Sequence, residues 1–89
     1  MKNAYVIMNK IVEKALEQEK VLGGNNHKTT IAHKLSIGAT TFWRYINGFN
    51  VSETTESKII IGCNILLENP ETKKVSQSMR ANWYLKNRK

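Results

Sequence analysis

The side chains with the most binding chemistry lie close together in the middle of the chain. Arg44 carries a guanidinium group, whose fork of N–H donors matches O6 and N7 of guanine. Thr40 offers a hydroxyl and a methyl group, which suit a base edge or a thymine methyl, whereas Ala39 offers apolar contact only. We predict that all three contact bases in the major groove of double-stranded DNA. The alternative role for Arg44 is that of a solvated surface charge.

Trp43 belongs to the same predicted helix. On a helix that begins after Gly38, Trp43 lies on the same face as Ala39, Thr40 and Arg44. This face points away from Phe42 and Tyr45. One interpretation is that its ring contacts a base or a sugar. The other is that Trp43 is a partly buried aromatic residue of the core or of a dimer interface.

A second set of residues is suited to phosphate contacts. Lys28, Thr29 and Thr30 come at the start of a short predicted helix, where free backbone N–H groups favour anions. Simple capping of that helix is the alternative. Asn50 and Lys58, further along the chain, are predicted to reach flanking phosphates.

Residues 28–48 have the spacing of two short helices joined by a tight turn. Ala32 is a small residue of the first helix, and Asn47-Gly48 is a stop signal after the second. The apolar positions that flank the turn or anchor the second helix are Leu35, Ile37, Phe42 and Tyr45. The segment resembles the helix-turn-helix of the lambda-repressor/Cro family of phage and bacterial regulators. The resemblance implies that Ala32 lies where the two helices touch and only a small side chain fits. The Phe-Trp-Arg-Tyr run also resembles the corresponding stretch of activators of the lambda CII type.

That resemblance implies sequence-specific binding of double-stranded DNA, and it favours a phage or prophage transcriptional regulator. The family usually has glycine with positive φ in the turn, and Ser36 stands there instead, at a cost of about 1 kcal/mol or more. Gly38 is predicted to cap the second helix. The alternative function is a helix-turn-helix that has become a protein-interaction module, such as an antitoxin or a DNA-packaging adaptor.

The charge distribution favours a polyanionic partner. Fourteen Lys and Arg residues against seven acidic ones give a net charge of +7, an excess that favours nucleic acid or an anionic membrane surface. No acidic residue lies between Glu19 and Glu53 or after Glu71. Acid-free stretches are expected where a phosphate backbone approaches. Membrane-surface binding by the basic C-terminal helix remains a lesser alternative.

Hydrophobic periodicity predicts an all-α fold, a compact bundle of about five helices in a single domain over residues 1–89. The first helix is predicted from Ala4 to Leu22. A fourth, capped by Ser52 or Asn50, is predicted to end at Asn69-Pro70. A fifth is predicted from Glu71 to Lys86. The predicted core of the first four helices includes Ile7, Ile11, Leu35, Phe42, Ile61 and Ile65.

The fifth helix would carry Val75, Met79 and Trp83 on one narrow apolar stripe. Such a stripe suits a homodimer, which would double the few base pairs that one helix-turn-helix contacts. The alternative is that this helix folds back and completes the core of the monomer.

Enzymatic activity is not expected, because the sequence has no paired carboxylates in a plausible cleft, no metal-ligand cluster and no glycine-rich phosphate loop. We therefore predict no catalytic residue, no cofactor and no small-molecule substrate. Cys63 is interpreted as a small buried apolar group. With no apolar run long enough for a membrane span and no signal peptide, a cytoplasmic protein is expected.

Overall fold

The computed structural model describes residues 8–87, and these form helices joined by short segments, with no β-strand. The helices are α1 (Lys10–Gly23), a 3₁₀ helix (Gly24–Asn26), α2 (His27–Lys34), α3 (Ala39–Ile46), α4 (Glu53–Glu68) and α5 (Gln77–Asn87). The predicted all-α bundle is confirmed. Across the described residues, no helix has the length and apolar character that crossing a membrane requires.

The first helix begins later than the sequence predicted. Asn9 has extended backbone, and its side-chain Oδ1 accepts a hydrogen bond from Ile11 N at 2.8 Å. This cap starts α1 at Lys10, so the prediction of a helix from Ala4 is wrong at residues 8 and 9. Residues 4–7 lie outside the described residues. The helix ends at Gly23, one residue after the predicted Leu22, and Gly24 follows with a φ of 80°.

The buried residues within helices lie on α1 to α4, the four helices that were predicted to form the core. Each of α1, α2, α3 and α4 contributes fully buried side chains, whereas α5 contributes none. Of the predicted core residues, Leu35, Phe42 and Ile65 are buried, Ile11 and Ile61 are only partly buried, and Ile7 lies outside the described residues. The remaining buried apolar residues are Val12, Ala15, Leu16, Ile31, Ala32, Tyr45, Ile59, Cys63, Leu66 and Val75.

The fourth helix follows its predicted caps. Ser52 Oγ accepts a hydrogen bond from Thr55 N at 3.1 Å, and the helix ends at Glu68, before Asn69-Pro70. The next helix, α5, does not begin at Glu71 as predicted. It begins at Gln77, because Ser76 Oγ accepts from Met79 N at 3.1 Å and thereby caps it.

The apolar stripe predicted for a dimer is used within the chain. Val75 precedes α5, is buried, and donates its N–H to Lys34 O at 2.7 Å. Met79 and Trp83 pack against the core, and Trp83 Nε1 donates to Glu68 Oε2 at 3.2 Å. The stripe therefore docks α5 on α4, as in the alternative in which this helix folds back on the monomer, and the homodimer stays a prediction.

Candidate nucleic-acid interface

The turn between α2 and α3 is a Schellman motif built around Ser36. Ile37 N donates to Ala32 O at 3.0 Å, and Ser36 N donates to His33 O at 3.1 Å. Ser36 has a φ of 58° and is the one non-glycine residue with positive φ among those described. It occupies the left-handed position that the resemblance reserves for glycine. Gly38 then caps α3, and its carbonyl accepts from Phe42 N at 3.0 Å.

The contact between α2 and α3 depends on small and fully buried side chains. Ala32 is completely buried, as its predicted place between the helices requires. Leu35, at the end of α2, packs against Gly62 of α4 so closely that a Cβ at position 62 would overlap Leu35 Cδ2. The relative position of α2 and α3 is therefore fixed by close packing of buried side chains, including the contact of Leu35 with α4.

Helix α3 has one anchored face and one exposed face. Phe42 and Tyr45 are fully buried. The Tyr45 hydroxyl accepts a hydrogen bond from Asn9 N at 3.1 Å, and burial raises the pKa of Tyr45 above its ordinary value. The opposite face exposes all four predicted base-contacting residues, which are Ala39, Thr40, Trp43 and Arg44.

A groove of about 390 Å³, the recognition groove, lies between the start of α2 and the exposed side of α3. It brings together five of the nine predicted site residues, which supports the assignment of one surface to them. Its lining residues are Lys28, Thr29, Ala39, Thr40, Phe42, Trp43 and Ile46.

Four predicted site residues do not line this groove. Arg44 lies at the far end of α3, and Thr30 is half-buried on α2. Asn50 is exposed in the segment between α3 and α4, and Lys58 is exposed on α4, where it lines a different groove. Of the nine predicted site residues, five therefore share the recognition groove and one, Lys58, lines another groove.

Phe49 is a site residue that the sequence analysis missed. Its ring stacks on Trp43 with centroids 6.1 Å apart and an interplanar angle of 20°. The guanidinium carbon of Arg44 lies 5.3 Å from the centroid of the same ring. Phe49 thus contacts two predicted base-contacting residues at once.

A second Schellman motif explains the position of Phe49. Gly48, with a φ of 89°, donates its N–H to Tyr45 O at 3.1 Å, and Phe49 N donates to Arg44 O at 2.8 Å. In this motif the residue after the glycine usually contacts the last turn of the helix that it closes. A glycine followed by an aromatic residue at the end of α3 was the signal in the sequence.

One basic residue of the acid-free stretch is already paired. Lys34 Nζ lies 3.0 Å from Glu19 Oε1, and both side chains are largely buried. Lys34 therefore contributes little to the positive surface. Lys28 is exposed at the start of α2, and that helix begins without a side-chain cap. The capping alternative for Lys28, Thr29 and Thr30 thus has no supporting hydrogen bond among the described residues.

Comparison of the chain with protein-family models, with curated proteins and with solved structures finds no match in any of the three. The described residues include no group of three or more His, Cys or Glu side chains that could hold a metal ion. Function is therefore inferred from the geometry of α2, α3 and the surfaces around them.

Proposed function

We propose that the protein binds double-stranded DNA in a sequence-specific manner, with α3 in the major groove, and that it is a phage or prophage transcriptional regulator. One observation carries the proposal. Helix α3 buries Phe42 and Tyr45 completely while it exposes Ala39, Thr40, Trp43 and Arg44 on its opposite face. A recognition helix needs this combination, because base contacts require both a fixed backbone and free side chains.

The roles of the residues follow from where they lie. Thr40 and Ala39, in the first turn of α3, face base edges, and Arg44 donates to guanine O6 and N7. Lys28 and Thr29, across the recognition groove, bind a phosphate and fix the register of α3. Thr30 and Asn50 are proposed as further phosphate contacts.

Binding by the full chain to a pool of random duplexes, followed by selection of the tightest sequences, tests this proposal. We expect affinity to fall as salt rises, because bound phosphates release counterions. Arg44→Ala should cost about 1–3 kcal/mol on the selected sequence and relax preference at one base pair. Lys28→Ala should weaken all sequences alike and lower the salt slope by about one.

Each variant is the control for the other, because Arg44→Ala removes a proposed base contact and Lys28→Ala removes a proposed phosphate contact. If selection with Arg44→Ala returns the same consensus as the wild type, the base contact is wrongly assigned. If the wild-type chain binds no duplex at low salt, the DNA-binding proposal fails.

A homodimer is part of the proposal, because one helix-turn-helix contacts few base pairs and two copies can occupy half-sites about 34–36 Å apart. The stripe on α5 packs within the chain, but Leu85 remains exposed at the C-terminal end of that helix. Sedimentation of the full chain on and off DNA tests the dimer. A monomer in both conditions at tens of micromolar contradicts it.

The protein-interaction module is the second candidate function, and one observation favours it. Trp43 and Phe49 form a stacked pair of aromatic rings that are 53% and 40% exposed. Aromatic residues are enriched at the centres of protein interfaces. Retention of an acidic or neutral protein partner, with no salt-dependent binding to DNA, distinguishes this function from the proposed one.

A further inference from the structure

A second groove, of about 540 Å³, lies between α4 and α5. Both helices supply its walls, so it exists because α5 docks on α4. Its lining contains two basic residues, four neutral residues that can form hydrogen bonds and no acidic residue. The lining residues are Thr54, Ser57, Lys58, Ile61, Gln77, Arg80, Ala81 and Tyr84.

The two basic residues come from opposite walls of the groove. Lys58 is exposed on α4. Arg80 of α5 is half-buried, and its Nη1 donates to Val75 O at 3.3 Å. That hydrogen bond uses one of the five N–H donors of a guanidinium and restricts where the side chain can point. An ammonium and a partly fixed guanidinium across one cleft form an anion-binding arrangement.

The acidic residues at the start of α4 do not line this groove. Glu56 is half-buried and close enough to Tyr45 to raise the pKa of that hydroxyl, after the larger effect of burial. Glu56 therefore lies towards the α3 side of α4. The groove is thus lined by two basic residues and no acidic residue, although the first turn of α4 contains Glu53 and Glu56.

Thr54, which lines the α4–α5 groove, follows the last residue of α3 by eight positions in the chain. Thr54 follows Phe49 by five residues, and five residues span at most about 18 Å. The major groove is about 12 Å wide, and phosphates border it on both sides. The length of chain between Phe49 and Thr54 is compatible with contact between the α4–α5 groove and those phosphates when α3 lies in the major groove.

We infer that the α4–α5 groove binds the sugar-phosphate backbone of the DNA that flanks the contacted bases. Lys58 and Arg80 pair with phosphates, while Thr54, Ser57 and Gln77 donate hydrogen bonds to phosphate oxygens. Tyr84 and Ile61 provide apolar contact for deoxyribose. This inference rests on the proposed function, and it gives α5 a direct role in DNA binding.

The salt dependence of binding to a duplex of arbitrary sequence tests the inference, because its slope counts phosphate contacts. Lys58→Gln and Arg80→Gln in the full chain should each lower the slope of log Kobs against log salt by about 0.9, and the double variant by about twice that. Ser57→Lys should raise the slope by about 0.9, and a gain of binding cannot come from misfolding. Lys14→Gln, an exposed position on α1, is the charge-matched control and should leave the slope unchanged.

The outcomes separate this inference from the proposed function. If Lys28→Ala lowers the slope while the variants at positions 57, 58 and 80 behave like Lys14→Gln, the DNA-binding proposal stands and the inference is overturned. If all the charge variants, including Lys14→Gln, shift the slope equally, total charge rather than a groove governs binding, and the inference is again overturned. A wild-type chain that binds no duplex overturns both.

Discussion

The two grooves differ in how firmly their walls are held. The recognition groove lies beside α3, whose Phe42 and Tyr45 are fully buried, and it combines one lysine with mainly apolar side chains. The α4–α5 groove has a wall, α5, that contributes no fully buried residue, and its lining is mostly polar or basic. Base contacts need side chains held to within about 0.5 Å. Phosphate contacts act largely through charge and tolerate a less rigid wall.

The largest expected difference between the two regions is in the stability that their apolar anchors supply. Phe42→Ala removes a fully buried ring from α3 and should lower the free energy of unfolding by about 3–5 kcal/mol. Met79→Ala removes a partly buried side chain of α5 and should cost less, about 2 kcal/mol, at the lower end of such truncations. Urea unfolding of both variants measures the difference. Equal losses would show that α5 is anchored as firmly as α3.

Alkaline pH should destabilise the buried core around Tyr45 of α3 and Cys63 of α4. Burial raises the pKa of the Cys63 thiol from 9.0 to about 12, and it raises the pKa of Tyr45 as well. Since these pKa values are raised in the folded state, the stability is fully present below pH 9 and is lost as pH rises towards 12. The thiol alone should remove about 1.4 kcal/mol per pH unit in that window.

Cys63→Ala isolates the thiol in this experiment. Urea midpoints of the variant should fall less steeply between pH 9 and 12 than those of the wild type, with the remaining slope due mainly to Tyr45. Identical pH profiles would mean that the Cys63 thiol ionises as readily in the folded chain as in the unfolded one.

The sequence predicted the α2–α3 region well, because local signals there agree with tertiary packing. Three signals act within about one turn of their own positions: the small side chain of Ala32, the cap at Gly38 and the stop at Asn47-Gly48. Both helices begin and end within one or two residues of the predicted positions. The resemblance also indicated the positive φ of Ser36.

The α5 region was predicted less well, because its boundary depends on contacts distant in sequence. Periodicity placed Val75 on a helix with Met79, but Val75 N pairs with Lys34 O and its side chain fills the core. The groove that Arg80 shares with Lys58 depends on the same docking. Neither contact has a local signature, so helical periodicity alone could not separate an extended segment from the helix that follows it.

Two alanines provide a sharper comparison of the regions. Ala32→Leu adds volume to the fully buried contact between α2 and α3 and should cost about 1–3 kcal/mol through overpacking. Ala81→Leu makes the same change at an exposed position of α5 and should stay within about 0.5 kcal/mol. Thermal melts of both variants measure these costs. An unchanged melt for Ala32→Leu would mean that α2 and α3 do not meet at this residue.

The smallest expected effect is on the positioning of Arg44 by Phe49. Phe49 is partly exposed, so Phe49→Ala should leave the fold intact while it removes the ring that contacts Arg44 and Trp43. An exposed cation–π contact contributes about 0.5–1 kcal/mol, so affinity for the selected sequence should fall about two- to five-fold. The salt slope should not change, because no charge is removed.

Phe49→Tyr provides the matched control, since it keeps an aromatic ring at the position that the Schellman motif gives to residue 49. It should retain wild-type affinity. In a Trp83→Phe background, the emission of Trp43 should shift to longer wavelength in Phe49→Ala but not in Phe49→Tyr, because only the former exposes the stacked face of the indole. This readout needs no DNA and reports the stack directly. Suppose that the emission shifts while DNA affinity and base preference stay at wild-type values. Phe49 then stacks on Trp43 without positioning Arg44, and DNA binding does not require the contact between Phe49 and the end of α3.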